Sequence, residues 1–114
     1  MTKVKIWHNP RCSKSRATLE ILQDSGADIE VVRYKETPPD AAEIRQALDL
    51  LGLSARDLVR KGEAAFKALG LKDADENTLV AAMAEHPDLI ERPVVFANGK
   101  AAIGRPPESV KTIL

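Results

Sequence analysis

The chain has one cysteine, and the residues around it read His8-Asn9-Pro10-Arg11-Cys12-Ser13-Lys14-Ser15-Arg16. The chemistry this offers is nucleophilic attack by a thiolate, which is the reactive form of the side chain. Arg11, Lys14 and Arg16 bring positive charge that favours thiolate over thiol. His8 can support the thiolate or accept a proton, although a histidine at a strand end also serves in packing. Asn9 and Ser15 can hydrogen-bond a sulfur or an anion, and both types equally serve as turn and cap residues. An unpaired cysteine is most often buried structural sulfur. A basic, polar turn is a poor place to bury one, so the reactive reading is preferred.

The elements that must position this thiol follow from periodicity. Val4 and Ile6 alternate with Lys3 and Lys5, the period of a strand. From Ser13 the apolar residues Ala17, Ile21 and Leu22 follow helical spacing, and Ser25-Gly26 supplies a stop. Ile29 to Val32 then reads as a second strand, parallel to the first because a helix connects them. Cys12 thus sits at a strand-to-helix turn, facing free N–H groups and the positive end of the helix dipole.

The middle of the chain is helical. Thr37-Pro38-Pro39 breaks the pattern, and Asp40 with Glu43 marks a helix start whose stripe is Ile44, Ala47, Leu48 and Leu51, ending at Gly52. A short helix is expected after Ser54, with Asp57 as its cap partner. Another is expected from about Asp75 to Pro87, with Leu79, Ala82 and Met83 on one face. The stretch from about 38 to 90 reads as a helical insertion in one domain spanning 1–114, since no flexible linker flanks it. Beyond it, Pro93 to Ala97 is strand-like, Asn98-Gly99 is a hairpin signal, and Lys100 to Ile103 returns antiparallel. Pro106-Pro107 opens a last helix, with Val110, Ile113 and Leu114 expected inward. The order β-α-β, helical insert, β-β-α predicts an α/β fold. It resembles a thioredoxin-like mixed four-stranded sheet flanked by helices, with the insertion between its βαβ and ββα halves.

Bulk properties exclude several classes. The 114 residues are 44% hydrophobic and 30% charged, an ordinary globular composition long enough for a real core. Seventeen basic and seventeen acidic residues cancel, so no global field recruits nucleic acid or an anionic membrane, and any anion site must be local. One cysteine cannot form an internal disulfide. The N-terminus lacks the apolar run of a signal peptide, and no stretch reaches membrane-spanning length, so a cytoplasmic location is expected. Neither a dinucleotide nor a P-loop glycine pattern is present. Two histidines and one cysteine, widely separated, give no recognised zinc pattern, so no metal is expected.

Five segments in order carry a more specific likeness. They are His8 to Cys12 with Ser15 and Arg16, then Tyr34-Lys35-Glu36-Thr37-Pro38-Pro39, then Leu58-Val59-Arg60-Lys61. After these come His86 to Pro93 and Gly104-Arg105-Pro106. Along nearly its whole length the chain resembles the glutaredoxin-linked arsenate reductase family. The resemblance implies that Cys12 is the nucleophile, that Arg60, Arg92 and Arg105 bind the oxyanion, and that glutathione is a co-substrate, with no cofactor bound. It implies reduction of arsenate to arsenite, a role in arsenic detoxification, and glutaredoxin as protein partner. Pro93 falls where thioredoxin-like folds carry a cis peptide facing the cysteine, while trans is the default for the sequence itself.

The arginine assignment also has a physical basis. Arsenate at neutral pH is a tetrahedral dianion, and an attacking thiolate meets like-charge repulsion. Guanidinium forks neutralise that charge and orient the oxygens bidentately. Arg92 and Arg105 flank the expected hairpin and so can converge at one end of the sheet, while Arg60 comes from the insert.

Two competing functions share the same residues: a glutathione-dependent thiol reductase with another substrate, and a non-enzymatic interaction protein like the polymerase-binding regulators of the superfamily. Those regulators sense oxidation through Cys-x-x-Cys, and here the second position is Ser15. The unrelated phosphatase-like reductases need an arginine six residues after the cysteine, where this chain has Thr18.

Overall fold

The structure, a computed structural model, describes residues 2–114. The chain forms two compact units. One runs to Thr37 and resumes over Arg92–Leu114; the other is Pro38–Glu91.

The first unit is built on a mixed four-stranded sheet. Strand β1 (Lys3–Trp7) leads through a turn into helix α1 (Ser13–Asp24), and β2 (Asp28–Val32) follows. A helical crossover forces β2 parallel to β1, in register from Lys3 opposite Asp28 to Trp7 opposite Val32. Strands β3 (Val94–Ala97) and β4 (Lys100–Ile103) close the order β2-β1-β3-β4. β3 is antiparallel to both neighbours, with Trp7 opposite Val94 and Val94 opposite Ile103. Asn98 and Gly99 join β3 to β4 with φ of 54° and 72°. That pair of left-handed residues twists the turn with the strands rather than against them.

The core of this unit joins Val4 and Ile6 of β1, Leu22 of α1, and Val95 and Ala97 of β3, with Val110 and Ile113 from the C-terminal segment. Complete burial of a side chain such as Leu22 or Ile6 contributes about 1.5–3 kcal/mol. α1 buries Ser15, Thr18 and Leu22, whereas Ala17 and Ile21 are only half-buried. The helix is therefore rotated from the stripe expected of its apolar residues. Two polar side chains on the buried face are satisfied locally, Thr18 by donating to the Lys14 carbonyl at 2.8 Å and Ser15 in the site described below.

The C-terminal segment Pro107–Ile113 is a 3₁₀-helix, not an α-helix, and Leu114 is exposed rather than inward. Val110 and Ile113 are three residues apart, which is one 3₁₀ turn, so they share a face that Leu114 misses.

In the second unit, α2 (Ala41–Leu51) opens on the expected capping box. The Asp40 carboxylate accepts from the Glu43 N–H at 2.8 Å, and Glu43 accepts from the Asp40 N–H at 3.2 Å. Its face of Ile44, Ala47 and Leu48 is buried, and α2 packs on α5 (Glu76–Glu85), which buries Leu79, Val80, Ala82 and Met83. Between them lie α3 (Ala55–Leu58), capped by Ser54 and Asp57, and α4 (Ala64–Ala68) with a 3₁₀ turn over Leu71–Asp73. α4 was not legible from periodicity because it buries none of its residues and so shows no apolar stripe. A single antiparallel bridge, Val59 with Ile90, closes this unit.

Candidate active site

Strand register sets the site. The carboxyl ends of β1 and β2, the amino end of β3 and the carboxyl end of β4 all lie at one edge of the sheet, because Trp7 faces both Val32 and Val94, and Val94 faces Ile103. The segments that continue from those ends are His8 to Cys12, Arg33 onward, Arg92-Pro93, and Gly104-Arg105. Hydrogen bonding and register therefore gather most of the expected site residues at one end of the first unit.

Cys12 is the N-cap residue of α1, half-buried, with an extended backbone. Asn9 shapes its turn from both sides. The Asn9 carbonyl accepts from the Cys12 N–H at 3.0 Å, and its side-chain oxygen accepts from the Arg11 N–H at 3.0 Å. The Cys12 carbonyl in turn accepts the Arg16 N–H at 3.0 Å, the first bond of the helix. No acidic residue lies in the first turn of α1, so no carboxylate competes for the positive end of its dipole. The Arg16 guanidinium, although exposed, donates to the Pro10 carbonyl at 3.0 Å and braces the same turn.

Behind the turn lies a buried polar chain. Ser15 is wholly inaccessible; its hydroxyl oxygen accepts the Asn9 N–H at 3.0 Å and lies 2.7 Å from His8 Nδ1. Burial pushes the His8 imidazole below its ordinary 6.5, and the positive charges of Arg33 and Arg16 push the same way. A neutral ring lets Nδ1 accept the Ser15 hydroxyl proton, whereas an imidazolium would present a donor there. The His8–Ser15 pair thus holds the Cys12 turn through the Asn9 N–H, with Ser15 wholly buried and His8 nearly so.

This arrangement has a pH consequence. The unfolded chain takes up the His8 proton near 6.5 and the folded chain only at lower pH, so stability is level above that value and falls as pH drops through it. Urea midpoints compared at about pH 7.5 and about pH 5.5 should drop further for wild type than for His8→Asn, which cannot take the proton. Equal drops would remove His8 from the acid sensitivity.

Arg92 and Arg105 are drawn together: Arg105 Nε donates to the Arg92 carbonyl at 2.9 Å, and both residues are half-buried. The bonds Arg92–Pro93 and Arg105–Pro106 are both cis, so the trans default for Pro93 does not hold. The Gly104 N–H donates to the Pro93 carbonyl at 2.9 Å. A Cβ at Gly104 would meet Thr18 Oγ1, Pro93 Cγ at 2.8 Å and Thr18 Cγ2 at 3.1 Å. α1, the Pro93 loop and the Arg105 turn therefore pack within one methyl group of each other.

Arg60 belongs to the second unit. Its guanidinium lies 2.7 Å from Glu63 and 3.7 Å from Glu91, and its N–H donates to the Leu89 carbonyl at 2.7 Å. Glu63 stands three residues away, a spacing visible in the sequence but not read there as a partner. The contact of Gly104 with Thr18 had no sequence signal, since nothing local requires a glycine. Among the described residues no group of three or more His, Cys, Asp or Glu side chains is placed to hold a metal, and no helix is long and apolar enough to cross a membrane.

Comparison with known proteins places this geometry. The chain is 56% identical over 118 residues to the protein YfgD of Escherichia coli K12, covering all of this chain and 99% of that one. It is 50% identical over 117 residues to an arsenate reductase of Neisseria meningitidis, covering both chains in full. A solved structure titled arsenate reductase from Vibrio cholerae superposes with a TM-score of 0.96 at 47% identity, over 99% of this chain and 98% of that one. The fold is thus the thioredoxin-like α/β fold of these proteins. Residues 7–113 match the ArsC family, and the chain belongs to it.

Proposed function

We propose that this protein is an arsenate reductase working in the cytoplasm with glutathione and glutaredoxin. The observation that carries the reading is the placing of Cys12, at a helix N-cap without local carboxylates, at the sheet end where Arg105 is bonded to Arg92. Relatives named arsenate reductase at half-identity over the full length add to it.

In this reading Arg92 and Arg105 offset the charge of the arsenate oxygens, and the Cys12 thiolate attacks arsenic with loss of a hydroxyl as water. A glutathione thiol displaces a second hydroxyl. The two sulfurs then pair as a mixed disulfide on Cys12, one electron pair of the two As–S bonds stays on arsenic, and the resulting arsenic(III) species takes up one water and leaves as arsenite. Glutaredoxin takes the glutathionyl group and restores the thiol. Asn9 and Arg16 hold the turn, and His8 and Ser15 hold it from behind.

Arg60 is assigned to the oxyanion by family likeness, and its charge is already offset by Glu63 and Glu91. Arg105→Lys keeps charge but loses the fork, and it should raise the arsenate KM by about tenfold or more, given roughly 1.5–3 kcal/mol for each charge-assisted bond. Arg60→Ala should have the smaller effect. Equal arsenate kinetics in wild type, Arg105→Lys and Arg105→Ala would place the oxyanion elsewhere. The test of the reading as a whole is an arsenate reduction assay coupled to glutathione, glutaredoxin and glutathione reductase. Turnover that needs all of the thiol components supports it, and no arsenite above the protein-free control rejects it.

A further inference from the structure

At the sheet end that carries Cys12, the first unit has a second feature that the reaction above does not use. A cleft of about 520 Å³ is lined by His8, Leu19, Val31, Arg33, Glu36 and Thr37. Its lining includes His8 and Arg33, the residues that follow the carboxyl ends of the two parallel strands β1 and β2. Its volume lies within the usual range for small-molecule sites, about 300–1,000 Å³.

The lining has a distinct charge pattern. Arg33 Nη1 and Glu36 Oε1 stand 3.8 Å apart on one turn, with side chains 58% and 70% exposed. A pair so exposed is held weakly, about 0–1 kcal/mol, and opens at little cost. The Arg33 fork can donate to a carboxylate, and Glu36 beside it can accept from an ammonium group. One ligand group carries both charges on a single carbon, namely the α-amino-acid head. The aliphatic wall of Leu19 and of Val31, which is 44% exposed, suits a short methylene chain next to that head. His8 contributes the ring whose Nδ1 is tied to Ser15, so its other nitrogen is the one left to the cleft.

We propose that this cleft binds the γ-glutamyl head of the thiol co-substrate, with Arg33 on its α-carboxylate and Glu36 on its ammonium group. The ligand then enters at the sheet end that presents Cys12, and His8 lies between the cleft and the Ser15 chain behind that turn. That the co-substrate is glutathione rests on the arsenate reductase reading; that the cleft reads an α-amino-acid head does not.

The experiment uses unreactive thioethers on the reduced wild-type protein, followed by NMR. S-methylglutathione and γ-glutamyl-S-methylcysteine should both shift His8 ring and residue 33–37 resonances saturably, whereas S-methylcysteinylglycine, which lacks the γ-glutamyl head, should not. Arg33→Ala should weaken S-methylglutathione by at least tenfold, and Glu36→Gln should do likewise, with unchanged melting temperatures. In turnover, Arg33→Ala should raise the glutathione KM and leave kcat and the arsenate KM unchanged. Equal binding of all three thioethers, shifts confined to other residues, or unaltered affinity in Arg33→Ala would overturn the proposal. If wild type binds S-methylglutathione as described but reduces no arsenate, the cleft stands and the arsenate reading fails.

Discussion

Cys12→Ser should abolish turnover while leaving the protein folded and still able to bind an oxyanion. Cys12 caps α1 through its backbone, with no side-chain hydrogen bond to the helix, and the residue is only half-buried. Serine is favoured at an N-cap, so the substitution removes the sulfur without weakening the helix start. The hydroxyl does not ionise near neutral pH and cannot form a bond to glutathione. The expected loss of kcat is about 10³-fold or more, the scale seen when an enzyme loses its nucleophile. Thermal melts and arsenate or phosphate binding by calorimetry should match wild type, separating lost chemistry from lost structure. A Cys12→Ser protein retaining even a tenth of wild-type arsenate turnover contradicts the assignment.

Gly104→Ala should impair the same reaction through packing alone. The added methyl meets Thr18 and the Pro93 ring, neither of which is the free end of a flexible side chain. Thr18 is β-branched and fully buried, and its hydroxyl is bonded to the Lys14 carbonyl. The turn carrying Arg105 must therefore give way, and the bonds Gly104–Pro93 and Arg105–Arg92 with it. Overpacking of this kind costs about 1–3 kcal/mol in stability. Moving a positioning group by an ångström can cost about 10²-fold in rate, so kcat/KM for arsenate should fall by about 10- to 100-fold. Thr18→Ala removes two of the three contacts, so the double variant should regain activity beyond additivity. Wild-type stability and kcat/KM in Gly104→Ala would show that the turn has room.

What the sequence made legible was whatever is specified locally. The β1-α1-β2 order, the Asp40–Glu43 and Ser54–Asp57 boxes and the Asn98-Gly99 turn are each written in a few adjacent residues, and the structure has all of them. The α/β class and the mixed four-stranded sheet followed from those elements, whereas the pairing of β1 with β3 that sets the order β2-β1-β3-β4 joins residues some ninety positions apart and has no local signature. The rotation of α1 was not legible, because its buried face holds Ser15 and Thr18, whose partners lie elsewhere or in the helix backbone. The 3₁₀ form of Pro107–Ile113 escaped because two apolar residues three apart fit either helix at first sight.

The site divides along the same line. Cys12 at a helix start was readable from the switch of period between β1 and α1. The convergence of Arg92 and Arg105 needed only the hairpin, although their 2.9 Å bond did not appear in any local pattern. The carboxylates around Arg60 come from residues 3 and 31 positions away, and only the first has a sequence signature. The Arg33–Glu36 cleft depends on how the turn after β2 settles beside His8, which no periodicity encodes.

The most direct measurement of the central claim follows from having one cysteine. A lone protein thiol cannot supply two electrons and close an internal disulfide, and Ser15, the position a resolving cysteine would take, forms no sulfur bond. Enzyme given arsenate and glutathione, with glutaredoxin withheld, should stall as a single glutathione adduct, which intact mass and peptide mapping place on Cys12. One arsenite should appear for each adduct formed, and added glutaredoxin should discharge it and restart turnover. Sustained multiple turnover of arsenate by the purified protein with no added thiol would contradict the account.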